Sequence, residues 1–200
     1  DSYPYAAISA FALHPLYLDL NRVATDANRR LVESLEPERK RLNALDSVDY
    51  EAVMKTKLDC LRRIYAAQKA ETFADADYQR FFGTNQHWLV PYAAFCVLRD
   101  RHGTSDFNRW PAHRRDRADE IAALAAPGSP AHDEFAFHCF LQFHLDRQLH
   151  EAKEYAHSRG IVLKGDIAIG VSRCGVGAWQ APELFHLSAQ AGAPPDAFAG

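Results

Sequence analysis

Apolar residues recur at helical spacing over much of this chain. Behind a candidate N-cap at Asp46-Ser47 they form one stripe, with Lys and Arg on the other faces. The members of this stripe are Val53, Leu58, Leu61, Ile64 and Tyr65. A second series predicts a helix over 88–101, with Pro91 confined to its first turn and Gly103 as its stop. This series, spaced three and four residues apart, consists of Trp88, Tyr92, Phe95 and Cys96.

Other stretches predict helices of different character. The many charges over 21–44 indicate a solvated helix, interrupted near its proline. The mixed segment 110–130 predicts one short helix. Ser129-Pro130 offers a capping hydroxyl followed by proline at the first helical position, so a long helix is expected to run from there to about Arg159, where Gly160 ends it.

Two segments have the pattern of extended chain. Leu16 to Leu20 alternates apolar with other residues, which predicts a short extended run. The apolar stretches Ile161–Leu163 and Ile167–Val171 are typical of a strand covered on both faces, as in the parallel sheets of α/β proteins. Asp166 lies inside this strand pattern. It is either a buried carboxylate that binds backbone N–H groups or a residue that lines a site at the end of a barrel strand.

Composition narrows the class of protein. Hydrophobic residues make up 48% of the 200 positions, which allows a sizeable core, and no apolar run resembles a membrane span or a signal peptide. The net charge of -3 gives no electrostatic reason to expect nucleic acid or a membrane as partner. Four scattered cysteines without a Cys-x-x-Cys pair favour buried free thiols in a reducing cytoplasm over disulfides or a zinc site.

Two polar clusters are better explained without a functional site. His132, His138, His144 and His150 recur every six residues, and six residues turn a helix by about 240° net, so the imidazoles should spread over the helix surface and its interfaces. The charged run 114–117 predicts a solvated, helix-forming face. Because the chain has no P-loop, Gly-x-Gly-x-x-Gly or Gly-x-Ser-x-Gly motif, we expect no nucleotide cofactor and no serine-hydrolase chemistry. No metal site is expected either.

The aromatic residues near the start lie in an irregular segment. Tyr3, Tyr5 and Phe11 do not follow a helical stripe. Aromatic faces commonly receive the apolar C–H side of a sugar ring, but they also serve in ordinary packing, and composition leaves both interpretations open.

Three stretches carry a specific set of motifs. The first runs from Asp1-Ser2-Tyr3-Pro4-Tyr5 to Tyr17, the second is 160–171 with its Gly-Asp-Ile-Ala-Ile core, and the third is 179–198 with a Trp-x-x-Pro-x-Leu-Phe run and a Gly-x-Pro-Pro-Asp loop. Together they resemble the 4-alpha-glucanotransferases of glycoside hydrolase family 77, the amylomaltases and disproportionating enzymes, in the variant of Bacteroidetes and of the cytosolic plant enzyme.

The resemblance implies an α/β fold, the N-terminal part of a (β/α)8 TIM barrel with a large helical insertion. The chain is then an internal part of the catalytic domain, with 1–200 in the partial barrel and the insertion at about 21–130. Family enzymes transfer α-1,4-glucosyl units from maltose, maltodextrin or a glycogen-like α-glucan to another glucan, with retention, through an Asp nucleophile and a Glu acid/base. The Arg-x-Asp-His and Glu-Asp-Leu-Gly motifs that hold these groups are absent from the sequence, so the chain has no catalytic residue of its own and should be inactive alone.

Substrate-binding roles follow from the resemblance at four positions. Tyr5 matches a tyrosine that packs against the sugar at the cleavage site, and Asp166 matches a carboxylate that organises the site. Asp196 matches a loop residue that closes over substrate. Trp179 and Phe185 match positions where packing is the leading interpretation and substrate contact is the alternative.

The chain departs from the family pattern at a few positions. Ala168 stands where the family prefers Pro, and Gly175 and Gly177 stand where it usually has Ser and Asp. These changes motivate an alternative hypothesis, a degenerate barrel that binds α-glucan without cutting it. A third possibility is a helical interaction domain formed by 46–159 alone.

An incomplete barrel leaves open strand edges and uncovered apolar surface. We therefore expect the isolated 200-residue chain to be poorly soluble or only partly folded. Thermal unfolding followed by circular dichroism measures this, and a sharp cooperative transition would contradict it.

Overall fold

The computed structural model describes residues 7–165 and 171–189. Within these ranges the chain forms α-helices joined by turns and loops, and none of these helices is long and apolar enough to cross a membrane. The α-helices are α1 (Leu20–Val23), α2 (Arg29–Glu33), α3 (Glu36–Asn43), α4 (Tyr50–Ala74), α5 (Ala76–His102), α6 (Ala118–Ala125), α7 (His132–Ser158) and α8 (Val176–Gln180). Short 3₁₀ helices occupy Pro15–Tyr17, Phe107–Arg109 and Pro182–Leu184.

The three long helices α4, α5 and α7 form the core, with α7 between the other two. Phe143 of α7 meets Tyr78 of α5 edge to face, with ring centroids 5.4 Å apart. On the side towards α4, the ring of Phe140 lies 5.3 Å from that of Tyr65 in the same arrangement. Edge-to-face aromatic pairs contribute about 0.5–1.5 kcal/mol each beyond the area they bury. These contacts hold both α4 and α5 to α7, and Phe73 of α4 also meets Tyr78 of α5, with ring centroids 4.7 Å apart.

Aspartate side chains set where α4 and α5 begin. Asp49 caps α4 because its carboxylate accepts the N–H of Ala52 at 3.0 Å, so the predicted cap at Asp46-Ser47 is wrong. Both candidates suit a cap, but only Asp49 directly precedes the first helical residue and reaches a free N–H of the first turn. Asp75 ends α4 and also caps α5, where its carboxylate accepts the N–H of Asp77 at 2.7 Å.

Helix α5 is longer than the sequence pattern predicted. It begins at Ala76, twelve residues before the expected start at 88, and Pro91 lies in its interior instead of its first turn. Pro91 has no N–H to donate to the carbonyl of His87, but His87 is exposed, where water can replace the missing donor. Burial of Pro91 against the core offsets the remaining cost. The predicted stop is confirmed, since Gly103 ends α5 with a φ of 66°.

The end of α7 matches its prediction and the beginning differs slightly. Gly160 has a φ of 73°, its N–H donates to the carbonyl of His157 at 2.9 Å, and the N–H of Ile161 donates to Ala156 at 3.0 Å. This is the left-handed glycine ending that the sequence indicated. At the start, Ser129 Oγ accepts the N–H of Ala131 at 3.2 Å, so the serine closes a turn just before the helix instead of capping it.

The charged stretch after residue 20 forms three short helices, α1 to α3, where one interrupted helix was predicted. The predicted solvation is confirmed for α2 and α3, which bury none of their residues. Pro37 lies in the first turn of α3, where a missing N–H costs nothing. Exposed ion pairs three residues apart, such as Arg39 with Glu36, add little stability.

The predicted extended segments do not form in the described residues. Pro15–Tyr17 is a 3₁₀ helix and α1 begins at Leu20, so the extended run over 16–20 is wrong; proline at the first 3₁₀ position favours the turn. Residues 161–163 pair with no strand, and Val162 is 82% exposed. A strand needs a neighbour for its N–H and C=O groups, and the described ranges supply none here. Residues 166–170, the other part of this prediction, lie outside the described residues.

One buried imidazole in this core lacks a full set of hydrogen bonds. His144 of α7 is 3% exposed and packs against Phe140, with ring centroids 4.3 Å apart. Its Nδ1 faces the guanidinium of Arg147 at 3.3 Å, while its Nε2 has no partner among the described residues. Burial, reinforced by the charge of Arg147, lowers the pKa of His144 to about 3. The folded protein therefore keeps this side chain neutral at moderately acidic pH.

This neutral imidazole predicts a loss of stability in acid. Below a pH of about 6.5, His144 binds a proton in the unfolded chain but stays neutral in the folded chain. The free energy of unfolding therefore decreases as the pH is lowered, until His144 of the folded chain also binds a proton. In the longer protein that carries this chain, H144F should remove about 2 kcal/mol of the decrease in unfolding free energy between pH 6.5 and 5. Denaturant titration at the two pH values measures this difference.

The matched control is H150F, which changes an exposed histidine of the same helix. It controls for the loss of a histidine from this helix without a change in the core. Equal pH profiles for H144F and the unchanged protein would contradict the assignment.

Candidate functional site

Only one of the four predicted substrate-binding residues lies in the described part of the chain. Tyr5, Asp166 and Asp196 lie outside the described residues, so their roles stay predictions. Trp179 is on α8.

Trp179 is enclosed by the core. The residue is 1% exposed, its ring centroid lies 5.5 Å from that of Phe95 and 6.2 Å from that of Trp110, and its indole N–H donates to the carbonyl of His113 at 2.8 Å. The indole is buried and its only hydrogen-bond donor has a partner, so all of these contacts are those of a packing residue. Contact with substrate stays a prediction.

The loop that receives Trp179 was predicted as part of a helix-forming run. Residues 114–117 precede α6 in an irregular conformation, although Arg114, Arg115 and Arg117 are exposed as expected. The N–H of Asp116 donates to the carbonyl of Trp179 at 3.3 Å. His113 has a φ of 60°, in the left-handed region, and its ring lies 2.6 Å from the carboxylate of Glu120. The carbonyl of His113 and the N–H of Asp116 both bond to Trp179, so this loop holds α8 in place. The same contacts keep the loop out of a helical conformation.

Helix α8 also contacts the first motif stretch. The N–H of Val176 donates to the carbonyl of Ile8 at 2.7 Å. An added Cβ at Gly175 would lie 3.0 Å from the same carbonyl oxygen and 3.1 Å from that of Ser172. Glycine is thus what allows this close approach. At Gly177 a Cβ would meet only the ring of Phe185, at 3.8 Å, so a side chain fits there.

An aromatic pair joins the first motif stretch to α5. Phe11 is 65% exposed, and its ring is nearly parallel to that of Trp88, at an interplanar angle of 16° with centroids 6.1 Å apart. The indole N–H of Trp88 donates to Asn85 Oδ1 at 2.9 Å. The sequence pattern placed Trp88 only on a helix stripe. The parallel rings could not be found from spacing, because 77 positions separate them in sequence.

The histidine series is more buried than predicted. His138 and His144 are 7% and 3% exposed, which corrects the expectation of surface and interface histidines, while His150 is exposed. The reason is that α7 lies between two helices and buries nearly its whole circumference over 135–145. Burial lowers the pKa of His138, although Asp100 lies 3.4 Å away. The imidazoles do not converge.

No metal-binding group of His, Cys, Asp and Glu occurs among the residues that the structure describes. Cys60, Cys96 and Cys139 are buried free thiols, as their apolar helical settings predicted. Burial raises the pKa of Cys96 to about 11, so this thiol stays protonated and unreactive.

A separate open cavity of about 480 Å³ lies where α1 to α3 face α4. Among the charged groups that line it, Arg39 binds Glu36 at 2.8 Å, and Lys57 Nζ donates to the carbonyl of Leu16 at 2.5 Å. Burial lowers the pKa of Lys57.

Comparison with known proteins gives one consistent family. The model of glycoside hydrolase family 77, described as 4-alpha-glucanotransferase, matches residues 1–200. Relatives include the 4-alpha-glucanotransferase DPE2 of Oryza sativa subsp. japonica, 39% identical over 198 residues. The 4-alpha-glucanotransferases of Thermus thermophilus and Chlamydia pneumoniae are 32% and 30% identical. These alignments cover 99%, 98% and 99% of this chain but only 21%, 39% and 37% of the three relatives.

A solved structure agrees with the sequence relatives in fold. An amylomaltase from Streptococcus agalactiae, in complex with acarbose, superposes with a TM-score of 0.73 at 22% identity. The match covers 92% of this chain and 36% of that one, so the helices described above follow the arrangement of part of an amylomaltase. With a family match along its whole length, this chain belongs to glycoside hydrolase family 77, the 4-alpha-glucanotransferases.

Proposed function

We propose that the protein carrying this chain is a 4-alpha-glucanotransferase that transfers α-1,4-glucosyl units from maltose or maltodextrin to another glucan. The observation that carries the proposal is the family match over all 200 residues. The chain spans about a fifth to two fifths of its relatives, so the activity belongs to the longer protein and not to this chain alone.

The chemistry is a retaining double displacement. It needs two carboxyl groups about 5–5.5 Å apart, one a nucleophile that takes the glucosyl unit and one an acid that becomes the base for the incoming hydroxyl. The motifs that hold these groups in the family are absent from the 200 residues. The part proposed for this chain is to bind and position the glucan.

Within that role, Tyr5 stacks against the sugar at the cleavage site, Asp166 organises the site and Asp196 closes over substrate. A (β/α)8 barrel interrupted by a helical insertion at about 21–130 is the proposed setting. The hydrogen bond between Val176 and Ile8 supports the arrangement, since it joins the first motif stretch to the segment that leads into the third. Buried free cysteines support a reducing, cytoplasmic location.

A second candidate is a degenerate barrel that binds α-glucan without cutting it, suggested by the glycines at 175 and 177. Gly175 lies so close to two carbonyl oxygens that a Cβ would crowd them. This packing role explains the glycine without a loss of activity, which favours the enzyme over the degenerate barrel. A helical interaction domain made of 46–159 alone receives less support. The side-chain amide of Gln142 accepts the N–H of Leu13 and donates to its carbonyl, so the preceding segment is part of the same unit.

Incubation of the full-length protein with maltotriose tests the proposed activity. Transfer should produce glucose together with longer maltooligosaccharides, because each glucosyl unit passes to another sugar and not to water. Chromatography of the products resolves the series. Hydrolysis without longer products, or no turnover of any α-1,4-glucan, would refute the proposal, and binding without turnover would favour the degenerate barrel.

The two glycine positions should respond differently to the residues usual in the family. G175S forces a Cβ against backbone oxygens and should lower the free energy of unfolding by about 1–3 kcal/mol. G177D places its side chain where there is space and should change stability by less than about 0.5 kcal/mol. Denaturant unfolding of the full-length variants measures both, and an unchanged G175S would show that the close approach at Ile8 is not needed.

A further inference from the structure

We infer that Phe11 and Trp88 form a stacking platform for one glucose unit of an α-glucan chain. The identity of the ligand rests on the proposed function. The platform adds a binding contact that includes none of Tyr5, Asp166, Trp179 and Asp196.

The first observation is that Phe11 remains exposed beside an available core. Its neighbours Ile8 and Ala12 pack against the hydrophobic cluster of α5 and α7, whereas Phe11 is 65% exposed. The described residues leave most of this ring uncovered, and covering a large aromatic ring is favourable. A ligand that covers the ring would recover that gain.

The second observation is that the backbone of Phe11 is held in place. Ser9 Oγ accepts the N–H groups of Phe11 and Ala12 at 3.1 and 3.2 Å. Two residues later, the N–H and C=O of Leu13 bind the side-chain amide of buried Gln142, both at 2.9 Å. A ring fixed on both sides loses little conformational entropy when a ligand binds, which is the advantage of preorganisation.

The third observation is that the supporting ring is fixed as well. The indole of Trp88 donates to Asn85, whose own amide donates to the carbonyl of Phe81 at 2.8 Å. On the buried side Trp88 contacts Tyr92, with centroids 6.3 Å apart. The result is a row of three aromatic rings that runs from the core to the exposed face of Phe11.

The polar groups seen beside the two rings suit a ligand with one flat apolar face and hydroxyls around its rim. They are the hydroxyl of Ser9, which accepts the N–H of Phe11, the side-chain amide of Asn85, which accepts the indole N–H of Trp88, and the imidazole of His87. The ring of His87 stands edge-on to Phe11, with centroids 6.3 Å apart. A pyranose ring combines an apolar C–H face with hydroxyls around its rim. An α-glucan matches both features, while an anion or a peptide strand does not need them.

Steady-state kinetics of the full-length protein on maltotetraose, with F11A compared to the unchanged enzyme, tests this inference. Loss of a stacking contact made equally in the ground state and the transition state should raise KM by roughly 3- to 10-fold with little change in kcat. F11Y, which keeps the aromatic face, should behave as the unchanged protein.

Y17A is the matched control. Tyr17 is an equally accessible aromatic ring of the same segment, 79% exposed, but its ring contact is with His14 and not with a tryptophan. Y17A should leave KM as it is. The platform would be overturned by any of three results. These are an unchanged KM for F11A, an equal rise in KM for Y17A, and a rise in KM for F11Y as large as that for F11A.

Calorimetric binding of maltotetraose separates this inference from the proposed function. If the full-length protein shows no transfer but F11A still weakens maltotetraose binding and Y17A does not, the activity is refuted and the platform stands. If transfer is normal and F11A binds as the unchanged protein does, the platform is refuted and the activity stands. The platform is also contradicted if F11A melts at a lower temperature and partial unfolding explains the whole change in KM and in binding.

Discussion

Two glutamines of α7 hold the start of the chain against the helices. Gln142 accepts the N–H of Leu13 and donates to its carbonyl, and Gln148 makes the same pair of bonds with Asp19, at 2.9 and 3.1 Å. Each side-chain amide thus bonds to both the N–H and the C=O of one residue in an irregular segment, as a neighbouring strand would in a sheet. Gln142 is 2% exposed, and removing its side chain would leave the partly buried N–H and C=O of Leu13 without these partners, at a cost of about 1 kcal/mol for each hydrogen bond.

The consequences of these bridges extend to both ends of the described chain. With residues 13–19 fixed along α7, Ile8 is placed where its carbonyl accepts the N–H of Val176. Helix α8 is held at the same time from the other side, through Trp179 and the loop at His113. Two stretches more than 160 residues apart in sequence therefore meet on a surface built by α5 and α7. The aromatic contacts between the long helices stabilise this arrangement. The two glutamines fix the position of residues 13–19 along α7.

Periodicity predicted the helices well and their limits less well. The stripe at 53–65 and the glycine endings at 103 and 160 were visible because they depend on local spacing and on a residue that tolerates positive φ. The early start of α5 was not visible, because burial of Pro91 overrides its local preference. The extended runs predicted over 16–20 and 161–163 failed for a related reason, since a strand depends on partners that local sequence does not specify.

The candidate site shows the same division between local and distant information. The family resemblance came from short motifs and is confirmed, and the packing interpretation of Trp179 agrees with its enclosure. The burial of His138 and His144 was missed because spacing on one helix says nothing about how many neighbours that helix has. The pairing of Phe11 with Trp88 was missed because it joins a loop to a distant helix.

These distant contacts bear most directly on function. Carbohydrate binding depends on aromatic rings and polar groups held at fixed positions, and irregular segments provide such positions only when something else immobilises them. Here α7 immobilises the first motif stretch through Gln142, and that stretch in turn contacts α8 through Ile8. Under the proposed function, the helical part of the chain is the scaffold that holds this stretch in position to bind the glucan.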